Sequence, residues 1–281
     1  MTARLLAVPN VSEGRDEAVL DAVGAAFTAQ GARLLDRHAD PDHHRAVYTL
    51  AHPEPGGLAA ALVAGAREAI ARIDLTRHDG RHPRVGALDV APVVFLDPAD
   101  RGAACAEALV AADGLGALGL PVHLYGALGG GRTRAQLRRP GALDGLAPDA
   151  GPARPHPTAG AVLVAARAPL VAFNVELAPP ATLATARAIA AAIREGGPEG
   201  LPGVRAIGLE LPRQGIVQVS TNVEDHRATS PADVVAAVGR HWPVLGAELV
   251  ALAPAEAFAD FPPEVALRGL RTIEQALADV D

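Results

Sequence analysis

Residues 76–95 read Thr76-Arg77-His78-Asp79-Gly80-Arg81-His82-Pro83-Arg84-Val85-Gly86-Ala87-Leu88-Asp89-Val90-Ala91-Pro92-Val93-Val94-Phe95. Their character changes half-way. Up to Gly86 the stretch is polar, with two histidines and three arginines, and Gly80, Pro83 and Gly86 forbid a helix. From Ala87 it is apolar and rich in β-branched residues, which predicts a buried strand. A reactive loop feeding a rigid strand is a setting in which sites are built.

Working outward from that strand yields the fold. Upstream, residues 4–9 predict a strand, 17–29 a helix with Asp16 as N-cap, 32–37 and 46–50 two further strands, and 58–73 a helix with Leu62, Ala66, Ala69, Ile70 and Ile73 on one face. With the strand at 87–95 the order is strand-helix-strand-strand-helix-strand. That is the split βαβ, ferredoxin-like arrangement, with both helices on one face of the sheet. Downstream come a helix at 101–113, a strand at 122–125, a short helix with a basic face at 132–139 and a long loop at 146–157. Strands at 161–166 and 170–177 follow. Pro179-Pro180 marks a boundary, so the expected subdomains are 1–178 and 179–281. A helix at 181–194, strands near 204–211 and 215–221, a helix near 231–241 and a strand near 244–252 predict a second split βαβ unit, entered at a helix. A C-terminal helix is expected over 264–279. The fold class is α+β, two ferredoxin-like subdomains with a ligand groove between them.

Composition narrows the function classes. The 281 residues are 49% apolar and carry a formal charge of −7, which argues against nucleic-acid binding by bulk electrostatics. The single cysteine, Cys105, excludes an intramolecular disulfide and a Cys-based zinc cage. No N-terminal run is long enough for a signal peptide's core or a membrane span, which predicts a cytoplasmic protein. Gly129-Gly130-Gly131 lacks the Lys-Ser/Thr of a P-loop.

Several segments, in order along nearly the whole chain, carry a resemblance. They are Val8-Pro9-Asn10-Val11-Ser12-Glu13-Gly14-Arg15, Leu34-Leu35-Asp36, Arg45-Ala46-Val47-Tyr48-Thr49, Arg77 to Val90, Pro121 to Gly126, Ala147 to Pro152, Leu170 to Asn174 and Gln218 to Asn222. On these the chain resembles glutamate formiminotransferase, the formiminotransferase half of formiminotransferase-cyclodeaminase. The resemblance implies transfer of the formimino group of N-formimino-L-glutamate to N5 of tetrahydrofolate, with release of glutamate, in histidine degradation. It implies tetrahydrofolate as co-substrate, a homodimer and no metal.

The transfer needs proton management, because N5 loses a proton and the departing nitrogen gains one. Histidine suits that work near neutral pH. His82 falls on the family's catalytic histidine; His78 also falls in the motif, but its stronger reading is as a residue that orients the loop. Arg81, Arg84 and Arg45 are candidate anion contacts, and Asn10 and Asp36 are candidate substrate contacts. Asp89 reads equally as a buried, paired carboxylate. The family's Gly-Ala-Thr-Ala-Thr-Gly-Ala-Arg stretch lines the pterin. Here it reads Gly160-Ala161-Val162-Leu163-Val164-Ala165-Ala166-Arg167, which assigns Gly160, Ala161, Val162, Val164 and Arg167 to the folate. Asn174, Ile207, Gly208, Ser220 and Asn222 complete that set. The cluster His38, Asp40, Asp42, His43 and His44 has ligand types that suit zinc or manganese. Two other readings stand beside the first: a one-carbon (formyl) transferase of different donor or acceptor specificity, and a non-catalytic folate-binding homologue.

Overall fold

A computed structural model describes residues 4–80 and 82–280. Two compact units emerge, one running to Arg167 and the other from Ala168 to Asp279.

In the first unit the elements are β1 (Leu5–Ala7), β2 (Asn10–Val11), α1 (Glu17–Thr28), β3 (Arg33–Asp40), β4 (Arg45–Ala51), α2 (Gly57–Arg72), β5 (Leu88–Phe95), α3 (Arg101–Ala117), β6 (Val122–Leu124), α4 (Arg134–Leu137) and β7 (Val162–Arg167). The strands β1 and β2 are two halves of one strand interrupted at Val8-Pro9, and both lie between β4 and β5. β3 pairs antiparallel with the far side of β4. The four strands of the cycle therefore stand in the ferredoxin-like order expected from sequence. β7 and β6 extend the sheet in parallel beyond β5.

Local chemistry places the helices. Asp16 caps α1 by accepting from the backbone N–H groups of Ala18 and Val19. Leu20, Val23 and Phe27 of α1, Leu58 and Leu62 of α2, and Ala104 and Leu115 of α3 share one core with Tyr48, Leu50, Leu88, Val93, Val162 and Val164 of the sheet. The opposite sheet face holds a smaller apolar cluster of Val90, Leu163 and Ala165, with Tyr125 and Leu137. The two clusters divide β7 by alternation, as a pleat requires, while in β5 a register shift beside β2 puts Leu88 and Val90 on opposite faces.

The second unit repeats the plan with β8 (Val171–Leu177), α5 (Leu183–Ile193), β9 (Val204–Leu211), β10 (Ile216–Val223), α6 (Pro231–Gly239), β11 (Val244–Val250), β12 (Leu267–Arg268) and α7 (Ile273–Ala278). The strand order is β12-β11-β8-β10-β9. This cycle begins at β8, not at a helix. Val171–Leu177 is the strand between β11 and β10, and it precedes the Pro179-Pro180 pair. Phe173, Val175, Val219 and Leu249 pack with Ile189 of α5 and Val234 and Val238 of α6.

The C-terminal helix is shorter than 264–279. Thr272 and Gln275 form a capping box that starts α7 at Ile273, and residues before it pair in parallel with β11 through β12. Among the described residues no helix is long and apolar enough to cross a membrane.

Candidate functional site

A constellation of polar residues gathers on the first sheet, within the first unit. At its centre is Asp89, fully buried at the start of β5. Arg45, the first residue of β4, donates from Nη1 to Asp89 Oδ2 at 2.5 Å. Arg138, just past α4, donates from Nη2 to the same oxygen. The other oxygen, Oδ1, accepts from the Val85 backbone N–H at 2.7 Å. Arg45 also donates from Nε and Nη2 to Asn10 Oδ1, at 3.0 and 2.6 Å. The Asn10 amide in turn donates to the Val8 carbonyl at 2.9 Å. A break in the first strand thus positions a side-chain amide, and the amide positions a guanidinium.

Burial and charge act against each other here. Burial alone would raise the Asp89 carboxyl, but Arg138 and Arg45 outweigh it and hold the group well below the usual carboxylate range. Burial lowers Arg45 to about 10, against the pull of Asp89.

His82 lies beside this set. Its side chain is half-buried, and desolvation is the first cause that holds its pKa well below the ordinary histidine value. The charges of Arg45 and Arg138 push the same way, against Asp89. Nδ1 lies 2.7 Å from the Pro83 carbonyl, which can only accept. The proton of the neutral ring is therefore on Nδ1, and Nε2 keeps its lone pair. The His43 ring meets the His82 ring edge-on, with centroids 5.9 Å apart.

The loop that carries His82 is fixed at several points. Arg84 donates from Nη1 to the carbonyls of Gly80 and His82, both at 2.9 Å, and from Nη2 to that of His78 at 3.1 Å. His78 accepts at Nδ1 from the Gly80 N–H, so its Nε2–H donates to the His44 carbonyl at 3.1 Å. The His78 and His44 rings stack with centroids 4.2 Å apart. Burial first, then Arg84, lowers the pKa of His78. His44 accepts at Nδ1 from the Gly14 N–H at 3.2 Å, and burial lowers its pKa too.

At its base the loop is stitched to residues 158–161. Leu75 N–H donates to Thr158 O, Ala87 N–H to Ala159 O and Ala161 N–H to Val85 O, at 2.8, 2.9 and 2.9 Å. This approach is so close that a Cβ on Gly86 would fall 1.7 Å from the Ala161 oxygen. One on Gly160, whose φ is +68°, would fall 2.2 Å from the Val85 oxygen.

The structure thus brings together Asn10, Arg45, His82 and Asp89 from the sequence expectations. Arg81 lies outside the described residues. Arg84, expected to hold an anion, has its guanidinium on three loop carbonyls. Asp36 shares the sheet face of Arg45 by strand alternation but stands on the outer strand β3, opposite Thr49. Gly160 and Ala161 hold the base of the His82 loop by their backbones. Val162 and Val164, expected against the pterin, point instead into the helix-side core, where hydroxyls would have no place. Arg167 ends β7. Ile207, Ser220, Asn174 and Glu248 are neighbours across four strands of the second sheet, and Asn222 lies one row further on. Gly208 packs on α5, where a Cβ would meet the Arg187 nitrogen at 2.3 Å. Among the described residues no group of three or more His, Cys, Asp or Glu side chains is placed to hold a metal ion.

Sequence reasoning missed Arg138 and the His43–His82 contact. The basic face expected at 132–139 was the one signal for Arg138. The crowding of histidines at 38–44 was the signal for His43.

Comparison with known proteins bears on this geometry. Residues 4–167 match the family model described as "Formiminotransferase domain, N-terminal subdomain", and residues 172–262 match "Formiminotransferase domain". The glutamate formimidoyltransferase of Streptococcus pyogenes is 36% identical over 273 residues, covering 90% of this chain and 90% of that protein. The one from Thermoplasma acidophilum is 32% identical over 278 residues, covering 90% and 89%. The formimidoyltransferase-cyclodeaminase of Sus scrofa is 36% identical over 280 residues, covering 90% of this chain. The chain spans about half the length of the bifunctional relatives it matches, at 50% of the Sus scrofa protein.

Proposed function

The chain belongs to the formiminotransferase family, and from that premise we propose that it transfers the formimino group of N-formimino-L-glutamate to N5 of tetrahydrofolate, releasing glutamate. The observation that supports the reading most directly is His82: neutral, with Nδ1 tied to the Pro83 carbonyl and Nε2 carrying the lone pair.

In this mechanism N5 attacks the amidine carbon of the donor, and its proton passes to His82 Nε2. The carbon–nitrogen bond to glutamate then breaks, and the same proton passes to the departing nitrogen. Atoms and charge balance, and the histidine ends as it began. The surroundings suit the second half best. An imidazolium beside Arg45 and Arg138 is a strong acid, so it gives its proton back readily. Asn10 and Asp89 keep Arg45 in place, and Arg84 and His78 fix the loop.

The same reading carries tetrahydrofolate as the acceptor, a homodimer, a cytoplasmic setting and no nucleic-acid partner. The family resemblance supports the first two, and the net charge of −7 supports the last.

The test is turnover of formiminoglutamate with tetrahydrofolate, followed by glutamate release, in the wild type and in His82→Ala. Loss of a positioned acid–base group is expected to lower kcat by about 10²–10⁴-fold. No turnover by the wild type would sink the reaction. A fall of less than about tenfold in the variant would sink the role of His82.

A further inference from the structure

Among the described residues, the charges around Asp89 do not balance. One carboxylate faces two guanidiniums, Arg45 and Arg138, whose side chains are 10% and 11% exposed while that of Asp89 is 0%. The group carries one excess positive charge, and His82 beside it is held neutral. An uncompensated buried charge is costly, so such a group is built to receive a counter-charge. Arg134 adds to the same field, lying over the Tyr125 ring at 5.9 Å.

Two buried donors point the same way. The Arg138 Nε–H is buried and has no acceptor among the described residues. The Tyr125 hydroxyl is likewise buried with no partner there. Tyr125 packs in one apolar cluster with Val90 and Leu137, the chain neighbours of Asp89 and Arg138. Buried N–H groups are paired as a rule, so the unpartnered Arg138 Nε–H beside an excess cation marks a place for an anionic acceptor.

We propose that Arg138 is an anion-binding residue of this site, and that its ligand is a carboxylate of the one-carbon donor. This rests on the transferase reading for the identity of the donor, but the anion site itself rests only on the side chains above. Asp89 aims Arg138, as it does Arg45. The planar guanidinium then offers its Nε–H edge to a carboxylate, the geometry in which arginine binds best. Arg138 acts here where Arg84 is committed to its own loop.

The test uses Arg138→Gln and Arg138→Lys with three readouts. The first is calorimetric titration with L-glutamate. Loss of one charge-assisted contact is expected to weaken binding by about ten- to hundredfold in Arg138→Gln, with partial recovery in Arg138→Lys. The second is turnover with formiminoglutamate against formamidine, a donor without a carboxylate. KM for the first should rise about tenfold or more, and kcat/KM should fall further with formiminoglutamate than with formamidine. The third is the pH profile of kcat/KM, whose acid limb should move to higher pH once a cation beside His82 is gone. Glutamate bound equally by the wild type and Arg138→Gln would overturn the proposal. So would equal losses with both donors in both variants, which would make Arg138 structural. If the wild type fails to turn over formiminoglutamate yet loses glutamate binding in Arg138→Gln, the anion site stands and the transferase reading falls.

Discussion

Asn10 and Asn174 stand on the first strand of two cycles with the same strand order, and they do opposite work. Asn10 accepts from Arg45, with its oxygen turned to a cation. Asn174 donates from Nδ2 to Glu248 at 2.9 Å, with its nitrogen turned to an anion. The faces around them follow suit. In the first unit two guanidiniums share one carboxylate. In the second, Arg268 pairs with Glu176 and lies 3.6 Å from Glu248, so two carboxylates share one guanidinium. One face carries an excess positive charge and the other an excess negative one. An amide tolerates both because it holds a donor and an acceptor on one side chain. The shared topology fixes where the asparagine stands, and its neighbours decide which end is used, so chemistry is set by the site and not by the fold.

The sharpest way to break this comparison is to neutralise one acid on each face. Asp89→Asn leaves two buried guanidiniums without a counter-charge and is expected to cost about 3–5 kcal/mol. Glu248→Gln leaves Arg268 paired with Glu176, and Arg268 is half exposed, so it should cost less than about 1 kcal/mol. Native-state hydrogen exchange, read separately on β5 and β8, checks both. If the two variants cost the same, the first face is not the tightly buried ionic cluster described above.

Much of this was legible in the sequence, for physical reasons. Apolar runs with strand character alternate with helical spacing in an order that only a few topologies accept, which made the ferredoxin-like cycles readable. His82 was readable because a histidine between Gly80 and Gly86 lies on a loop whatever the tertiary structure. Arg138 was not readable as a partner of Asp89. The two are 49 residues apart, and no period or cap links them. In the 160–167 stretch two signals disagree: the likeness to a pterin-lining segment assigns Val162 and Val164 to the ligand, while strand alternation turns both to one face, away from Leu163 and Ala165. The C-terminal helix is shorter than its spacing predicts, because only the Thr272–Gln275 box marks where it begins.

The backbone crossing under the His82 loop sharpens the comparison, because it lies wholly within the first unit. Gly160→Ala puts a side chain on a left-handed residue and against the Val85 carbonyl, at an expected cost of about 1–3 kcal/mol. It should also lower kcat by more than the lost stability explains, since the Ala161–Val85 hydrogen bond sets the height of the loop. The check is turnover measured well below the variant's melting temperature. Wild-type kcat there would show that the loop is positioned from elsewhere.

The smallest expected effect is one of pH. His44, His78, His82 and His123, each lowered chiefly by burial, all belong to the first unit. A histidine whose pKa is depressed by folding binds its proton more weakly in the folded chain than in the unfolded one. Its contribution to stability is therefore complete above the unfolded value near 6.5 and is lost as pH falls from there toward the folded value. Each such group can contribute a slope of at most about 1.4 kcal/mol per pH unit. Between pH 7.5 and 5.5 hydrogen exchange should quicken in β5 more than in β8, after correction for the intrinsic rate. His82→Asn removes one of the four titrating groups and should flatten that difference. An unchanged slope in the variant would mean that His82 keeps an ordinary affinity for its proton, and the neutral base on which the proposed transfer depends would lose its physical footing.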